Sequence, residues 1–336
     1  MYLQHFGLNR LPFQVTPDPR FYFDSAVHRR AMSTFAYGLS KGEGFVVVTG
    51  EVGAGKTTLV QFMLERLDLE QLAVAKVNTS QLAADTLLRH IAHEFGCSLS
   101  GSDKADALAA LRDRLVALFD GGKLPLLIVD EVQALSPDAL EELRMLSNIQ
   151  AGNDPIVQIL LVGQPQFRAR LDDPDLMQLR QRVVASYHLS GLAPDEVAGY
   201  ITHRLQLAGW DGRELFSPGA VEAVASASAG NPRQINRLCD RLLFHAYFKR
   251  ARRVEAGDVS DVTAEMREEG LLTDAAPAPA DAPEDPEPSA TARPGAAARE
   301  TGLDQRRLAR EVADLRARLT DHRARIDRLA RTVAVP

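Results

Sequence analysis

Residues 45–60 read FVVVTGEVGAGKTTLV, a β-branched run that meets a glycine-rich loop and then an apolar helix start. Gly50, Gly55, Lys56 and Thr57 stand at the spacing G-x-x-x-x-G-K-[ST], with Glu51, Val52, Gly53 and Ala54 between them. The chemistry of that spacing is the grip on a polyphosphate. Glycines let the backbone curl so that successive N–H groups face phosphate oxygens, and the helix N-terminus adds partial positive charge. In this Walker A pattern Lys56 reaches the outer phosphates, the Thr57 hydroxyl is placed for a magnesium ion, and Thr58 continues the loop into the helix.

An acidic pair complements the loop. LPLLIVDE reads as a buried strand that delivers Asp130 to its C-terminal edge, where a carboxylate can hold a magnesium-bound water. Glu131, next in the chain, is placed to polarise an attacking water. Ras-type GTPases and P-loop kinases use other groups for that step, and the chain has no clear guanine-reading N-K-x-D run. The expectation is ATP with Mg²⁺, hydrolysed to ADP and phosphate.

Further polar groups fall at informative places. Gln164 ends the strand PIVQILLVG, where it can orient the lytic water as a sensor 1 residue. Arg180 and Arg182 of LRQRVV precede the last strand, and an arginine there can reach a neighbouring subunit's γ-phosphate; either one fits. Arg233 of GNPR opens a helix outside its apolar stripe, which suits a sensor 2 arginine coupling lid angle to nucleotide state.

These residues need a frame that brings strand ends together. From Phe45 to Leu189 short apolar strands alternate with amphipathic helices, the pattern of a parallel sheet with helices on both faces. After Leu192 the pattern is wholly helical: APDEVAGYITHRLQLAG, SPGAVEAVASASAG, GNPRQINRLCDRLLFHAYFKR and a fourth helix over 256–268. Asn231 is placed to cap the third, with Pro232 at its first position. The expected fold class is therefore α/β, a P-loop sheet followed by a small helical lid. Its divisions are an N-terminal segment and helix (1–41), the ATPase core (42–191), the lid (192–270), a linker (271–301) and a terminal helix (302–336).

The linker is alanine, proline and acid without periodicity, the composition of an extended chain. Beyond it Leu308, Val312, Leu315, Leu319, Ile326, Leu329 and Val333 repeat at heptad spacing, the pattern of a short coiled coil. Arg316, Arg318, Arg323 and Arg325 crowd its flanking positions and would repel in a homodimer, so an acidic partner helix is the alternative to self-pairing.

Composition narrows the rest. A net charge of −6 over 336 residues is not that of a protein coated for nucleic acid. Two cysteines, Cys97 and Cys239, offer no disulfide framework or CxxC spacing. With no signal-like start and no apolar run long enough to span a bilayer, the expected place is the cytoplasm, peripheral to the inner membrane through a partner.

Taken as a set, YLQHFGLNRLPFQVTPDPRFYF, GEGFVVVTGEVGAGKTTL, DEVQ, LRMLSN, LLVGQPQFR and LRQRVVASYHL resemble the general secretion pathway protein A branch of AAA+ ATPases. Within that branch the resemblance is to the ATPase associated with the exosortase/PEP-CTERM sorting system and its exopolysaccharide loci. It covers residues 1–269. It implies dimer or ring assembly with Arg182 or Arg180 acting in trans, and a segment at Thr16, Pro17, Asp18 and Pro19 that wraps near the adenine. It also implies envelope or polysaccharide-export partners, reached through the C-terminal helix. The secretion proteins continue into a transmembrane helix and a peptidoglycan-binding domain, which this chain's acidic linker and heptads replace. Cell-wall binding is not carried over. The rival expectation is a DNA-associated ATPase of the transposition-helper type, for which FKRARR (248–253) and the arginine-rich tail speak.

Overall fold

In the computed structural model the described residues are 2–16, 18–66, 71–78, 84–99, 103–152 and 154–272. They lie in one compact unit, Met1–Leu272. The linker from Thr273 onward and the heptad helix lie outside the described residues.

In chain order the unit begins with α1 (Tyr2–Phe6), α2 (Ala26–Lys41), β1 (Phe45–Gly50), α3 (Lys56–Arg66) and β2 (Leu72–Asn78). Next come α4 (Ala84–Glu94), α5 (Lys104–Asp120), β3 (Leu124–Asp130) and α6 (Pro137–Leu146). A small hairpin of β4 (Gln150–Ala151) and β5 (Asp154–Pro155) leads to β6 (Gln158–Gly163), α7 (Pro165–Arg170), α8 (Met177–Arg180) and β7 (Val183–Leu189). The last four helices are α9 (Pro194–Leu207), α10 (Pro218–Ser228), α11 (Pro232–Phe248) and α12 (Ala256–Glu268).

The five long strands form one parallel sheet in the order β2-β3-β6-β1-β7. Every residue of β1 and β6 is buried, as continuous apolar runs in a doubly covered sheet require. Alternate residues feed two cores. Val47, Leu127, Val129 and Leu161 join α4, α5 and α6 on one face, while Val46, Val48, Ile128 and Leu160 meet α2 and α3 on the other. Each fully buried aliphatic side chain stabilises by roughly 1.5–3 kcal/mol. The strand expected over PIVQILLVG is shorter at its start, because Asp154 and Pro155 pair with Gln150 and Ala151 instead of with the sheet.

Local chemistry starts the helices. Ser25, Ser136 and Ser217 each accept a backbone N–H three residues on, and prolines occupy the first position of α6, α10 and α11. The helical region has its own core, in which Ile235, Leu238, Cys239, Leu242 and Ala246 of α11 are all fully buried. Tyr2, Phe6, Leu8 and Phe13 belong to this same core. The first residues of the chain are thus built into the lid, whereas α2, the next helix, packs on the sheet through Ala31, Phe35 and Leu39.

Candidate nucleotide site

The strand order puts β6 between β3 and β1, so the C-terminal ends of three neighbouring strands deliver the polar residues to one edge. Gly50 ends β1, Asp130 ends β3 and Gln164 follows β6. The loop after β1 turns back at Gly53 (φ 88°) and Gly55 (φ 99°), conformations that side chains resist. Lys56 is 6% exposed, and its Nζ donates to the carbonyls of Gly50 (2.6 Å) and Glu51 (2.9 Å). Burial pushes its ammonium below the usual lysine range, while the carboxylates of Glu131, Asp130 and Glu51 pull the other way. The ammonium is therefore fixed inside the loop, with one proton left for a ligand.

Thr57 Oγ1 stands 3.5 Å from Asp130 Oδ2. A hydroxyl and a carboxylate at that separation are hard oxygen donors of the kind Mg²⁺ takes, with waters and phosphate oxygens filling its other positions. Among the described residues no cluster of three His, Cys, Asp or Glu side chains forms an all-protein metal cage. The donor set fits a metal that arrives with a polyphosphate.

Glu131 lies directly after the strand in a left-handed conformation (φ 56°), uncommon outside glycine. Its Oε2 accepts from Gln133 Nε2 and from Gln164 Nε2, the latter at 3.2 Å. Gln133 closes the set, because its Oε1 accepts from the Gln164 backbone N–H at 2.9 Å. Arg170 secures the turn from below, donating to the carbonyls of Leu135 (2.6 Å) and Gln133 (3.4 Å). The structure thus joins Glu131 to Gln164 and adds Gln133, which the sequence reading passed over. The only hint was a second amide in DEVQ, on a turn that brings it back to the strand edge.

The lid touches the loop itself. Asn231 Nδ2 donates to the Val52 carbonyl (3.0 Å), and the Arg233 backbone N–H donates to that of Gly53 (3.3 Å). A Cβ on Gly53 would lie 2.3 Å from Arg233 Cβ, so only glycine admits this contact. Arg233 Nε is buried and finds no hydrogen-bond partner among the described residues. Read from sequence as a cap alone, Asn231 caps α11 through Oδ1 and holds the loop through Nδ2.

Arg180 and Arg182 are elsewhere. The Arg182 carbonyl accepts from the Phe45 N–H (2.9 Å), at the start of β1. Roughly 17 Å of strand separates that point from Gly50. Neither arginine reaches the loop of its own chain. Arg180 is engaged in an exposed ion pair with Asp172 (2.8 Å). Arg182 lines a cleft of about 650 Å³ with Glu43, Arg144, Gln178 and Gln181. The Arg144 guanidinium in that cleft is tied to Glu141, whereas Arg182 has no ion-pair partner among the described residues.

An AAA domain family model matches residues 39–171. General secretion pathway protein A of Aeromonas hydrophila is 38% identical over 277 residues, covering 80% of this chain and 50% of that protein. The chain thus spans half the length of that relative. The ORC1 protein of Aeropyrum pernix, solved in complex with DNA, is 19% identical over 77% of this chain and 70% of that one, with a TM-score of 0.56. Cdc6p of Pyrobaculum aerophilum is 16% identical over 75% and 70%, with a TM-score of 0.58. Strand order, loop and likeness agree: this is a P-loop fold of the AAA type, in a chain similar over four fifths of its length to general secretion pathway protein A.

Proposed function

We propose that the chain is a Mg²⁺-dependent ATPase that powers or regulates an envelope secretion, exopolysaccharide or exosortase/PEP-CTERM sorting system. What carries the enzymatic half is the meeting, at one sheet edge, of the Thr57–Asp130 oxygen pair, the Lys56 ammonium and the Glu131–Gln164 contact. Lys56 and the loop N–H groups grip the phosphates. Thr57 and Asp130 hold the ion, which when bound neutralises charge on the outer phosphates. Glu131 accepts the proton of the attacking water, which Gln164 orients. Arg233 brings the lid's positive charge to the same edge. Arg182, on the opposite sheet edge and without an ionic partner among the described residues, serves the neighbouring copy in a dimer or ring.

Hydrolysis by wild type, Lys56→Ala and Glu131→Gln tests this. Lys56→Ala loses nucleotide binding, while Glu131→Gln keeps binding and slows turnover by roughly 10²-fold or more. Equal rates in all three would remove the enzyme claim.

The pathway half is supported by the likeness to general secretion pathway protein A, whose name gives secretion. Among the described residues no helix is long and apolar enough to cross a membrane. The reading places the protein in the cytoplasm and gives attachment to inner-membrane machinery to the helix at 302–336. Comparing what the full chain and a chain ended at 272 recruit from the envelope fraction tests that assignment. Flanking polysaccharide and exosortase genes would support it, and a flanking transposase would reverse it.

The DNA-associated reading has less behind it. Within FKRARR, Lys249 is paired with Asp258 (2.8 Å) and Arg253 with Glu214 and Glu255 (3.2 and 3.3 Å). Those cations answer acids of their own chain. Steeply salt-dependent DNA affinity would revive it.

A further inference from the structure

Two residues beyond the lid contact, a buried histidine faces the loop. His28 lies in the first turn of α2 and is 7% exposed. Its Nδ1 meets Ser25 Oγ at 2.7 Å, and the same oxygen accepts the His28 backbone N–H at 3.2 Å. Ser25 is 1% exposed, and Nδ1 is the acceptor within reach of its hydroxyl proton. Buried hydroxyls are hydrogen-bonded, so Ser25 donates to Nδ1 and the ring proton sits on Nε2. Nε2 lies 3.1 Å from where a Cβ on Gly55 would stand, and has no hydrogen-bond partner among the described residues.

The ring is held in that orientation. Tyr22 packs edge-on against it at 5.5 Å and is itself stacked on Phe62 at 3.5 Å. Glu196, from the lid, accepts the Ala26 N–H at 2.7 Å and so fixes the start of the helix that carries His28. Burial pushes the imidazole down to about 4, against the opposing pull of Glu196, and keeps it neutral. The result is an uncharged N–H donor on a buried ring, set against the last glycine of the loop.

We propose that His28 Nε2 donates a hydrogen bond to the nucleoside-diphosphate portion of the bound nucleotide, the part that ATP and ADP share. This rests on the nucleotide reading given above. Position selects that portion: Lys56 and the Thr57–Asp130 pair serve the metal and outer phosphates, and Arg233 enters over Gly53. His28 instead meets the loop at Gly55, where it becomes helix α3. A neutral donor adds direction there without adding charge.

The test is titration of the full chain with Mg-ATP, Mg-ADP and inorganic tripolyphosphate, for wild type, His28→Phe and His28→Gln. The phenylalanine keeps the ring packing and removes the donor, so ATP and ADP each weaken about tenfold; tripolyphosphate weakens with them where the bond is to a phosphate and is unchanged where it is to the nucleoside. Glutamine carries an N–H to a similar reach and recovers most of the loss. Where phenylalanine disturbs α2, seen as a lowered melting temperature without ligand, His28→Ala carries the same expectation. Wild-type affinity of these variants for ATP and ADP overturns the proposal. So does loss for ATP alone, which would put the donor at the γ-phosphate, or an equal loss in His28→Gln, which would mean a deformed loop. Failure of the wild type to bind any nucleotide removes the underlying reading as well, which separates the two failures.

Discussion

The two ends of the sheet are built from the same strands and do opposite things. At the C-terminal end, loop, acids and amides converge and bond to one another. At the N-terminal end the arginines face outward, and Arg182 stands in an open cleft without an ion partner among the described residues. A parallel sheet explains the asymmetry, because all five strands point the same way and every loop after a strand lands on one edge. What the contrast teaches is that one end is nearly self-sufficient and the other is furnished for something outside the chain. A second copy, presenting its own C-terminal edge, is what we propose for it.

Breaking the contrast gives the largest expected effect. Arg182→Ala lowers ATP turnover by roughly 10³-fold where copies associate, whereas Arg180→Ala, which loses only an exposed pair with Asp172, stays within a few-fold. Mixing Arg182→Ala with Glu131→Gln chains restores part of the activity, since an intact pair of edges can then form. Equal sensitivity of the two arginines, or no rescue on mixing, would separate the N-terminal edge from the reaction.

A smaller effect is expected within the C-terminal edge. Gly53→Ala forces a Cβ to 2.3 Å from Arg233 and a left-handed backbone on alanine, so the lid lifts from the loop. The expected cost is about 1–3 kcal/mol of stability together with weaker nucleotide affinity, read by melting and titration.

His28 sharpens the same edge through pH. Its folded value is depressed from 6.5 to about 4, so the folded protein resists protonation that the unfolded chain accepts. Stability is full above about 6.5 and falls as pH drops toward 4, by at most roughly 3 kcal/mol. In His28→Gln that part of the acid sensitivity is gone, as denaturant titrations between pH 7 and 4 would show. Smallest of all, Lys249→Ala removes a surface pair with Asp258 and leaves the melting temperature close to that of wild type.

How much of this was legible in the sequence depended on range. Strand and helix periods, the glycine-lysine-threonine spacing and the cap at Asn231 are local, and local pattern carries them. The edge pairing of Asp154 and Pro155 was missed because apolar continuity alone does not say where a strand leaves its sheet. Contacts between distant segments leave no periodic trace. Asn231 on Val52, His28 on Gly55 and the Arg204 guanidinium on the Pro12 and Gln14 carbonyls each join residues far apart in the chain. The segment at Thr16–Pro19 was expected beside the adenine from resemblance only; what the structure adds is that its neighbours Pro12 and Gln14 are fastened to the lid by Arg204.

That fastening has a mechanical consequence. The chain runs between lid and sheet in its N-terminal segment, where Tyr22 joins the sheet core and Phe23 the lid core, and again between Leu189 and Leu192. Beside these covalent links, Glu196 on the Ala26 N–H and Asn231 on the Val52 carbonyl tie lid to sheet by hydrogen bonds that can break while the chain holds. The extreme N-terminus, built into the lid core, is consequently a good place for a fluorescent reporter: the distance from a dye near Tyr2 to a dye on α4 would show whether nucleotide changes the lid angle.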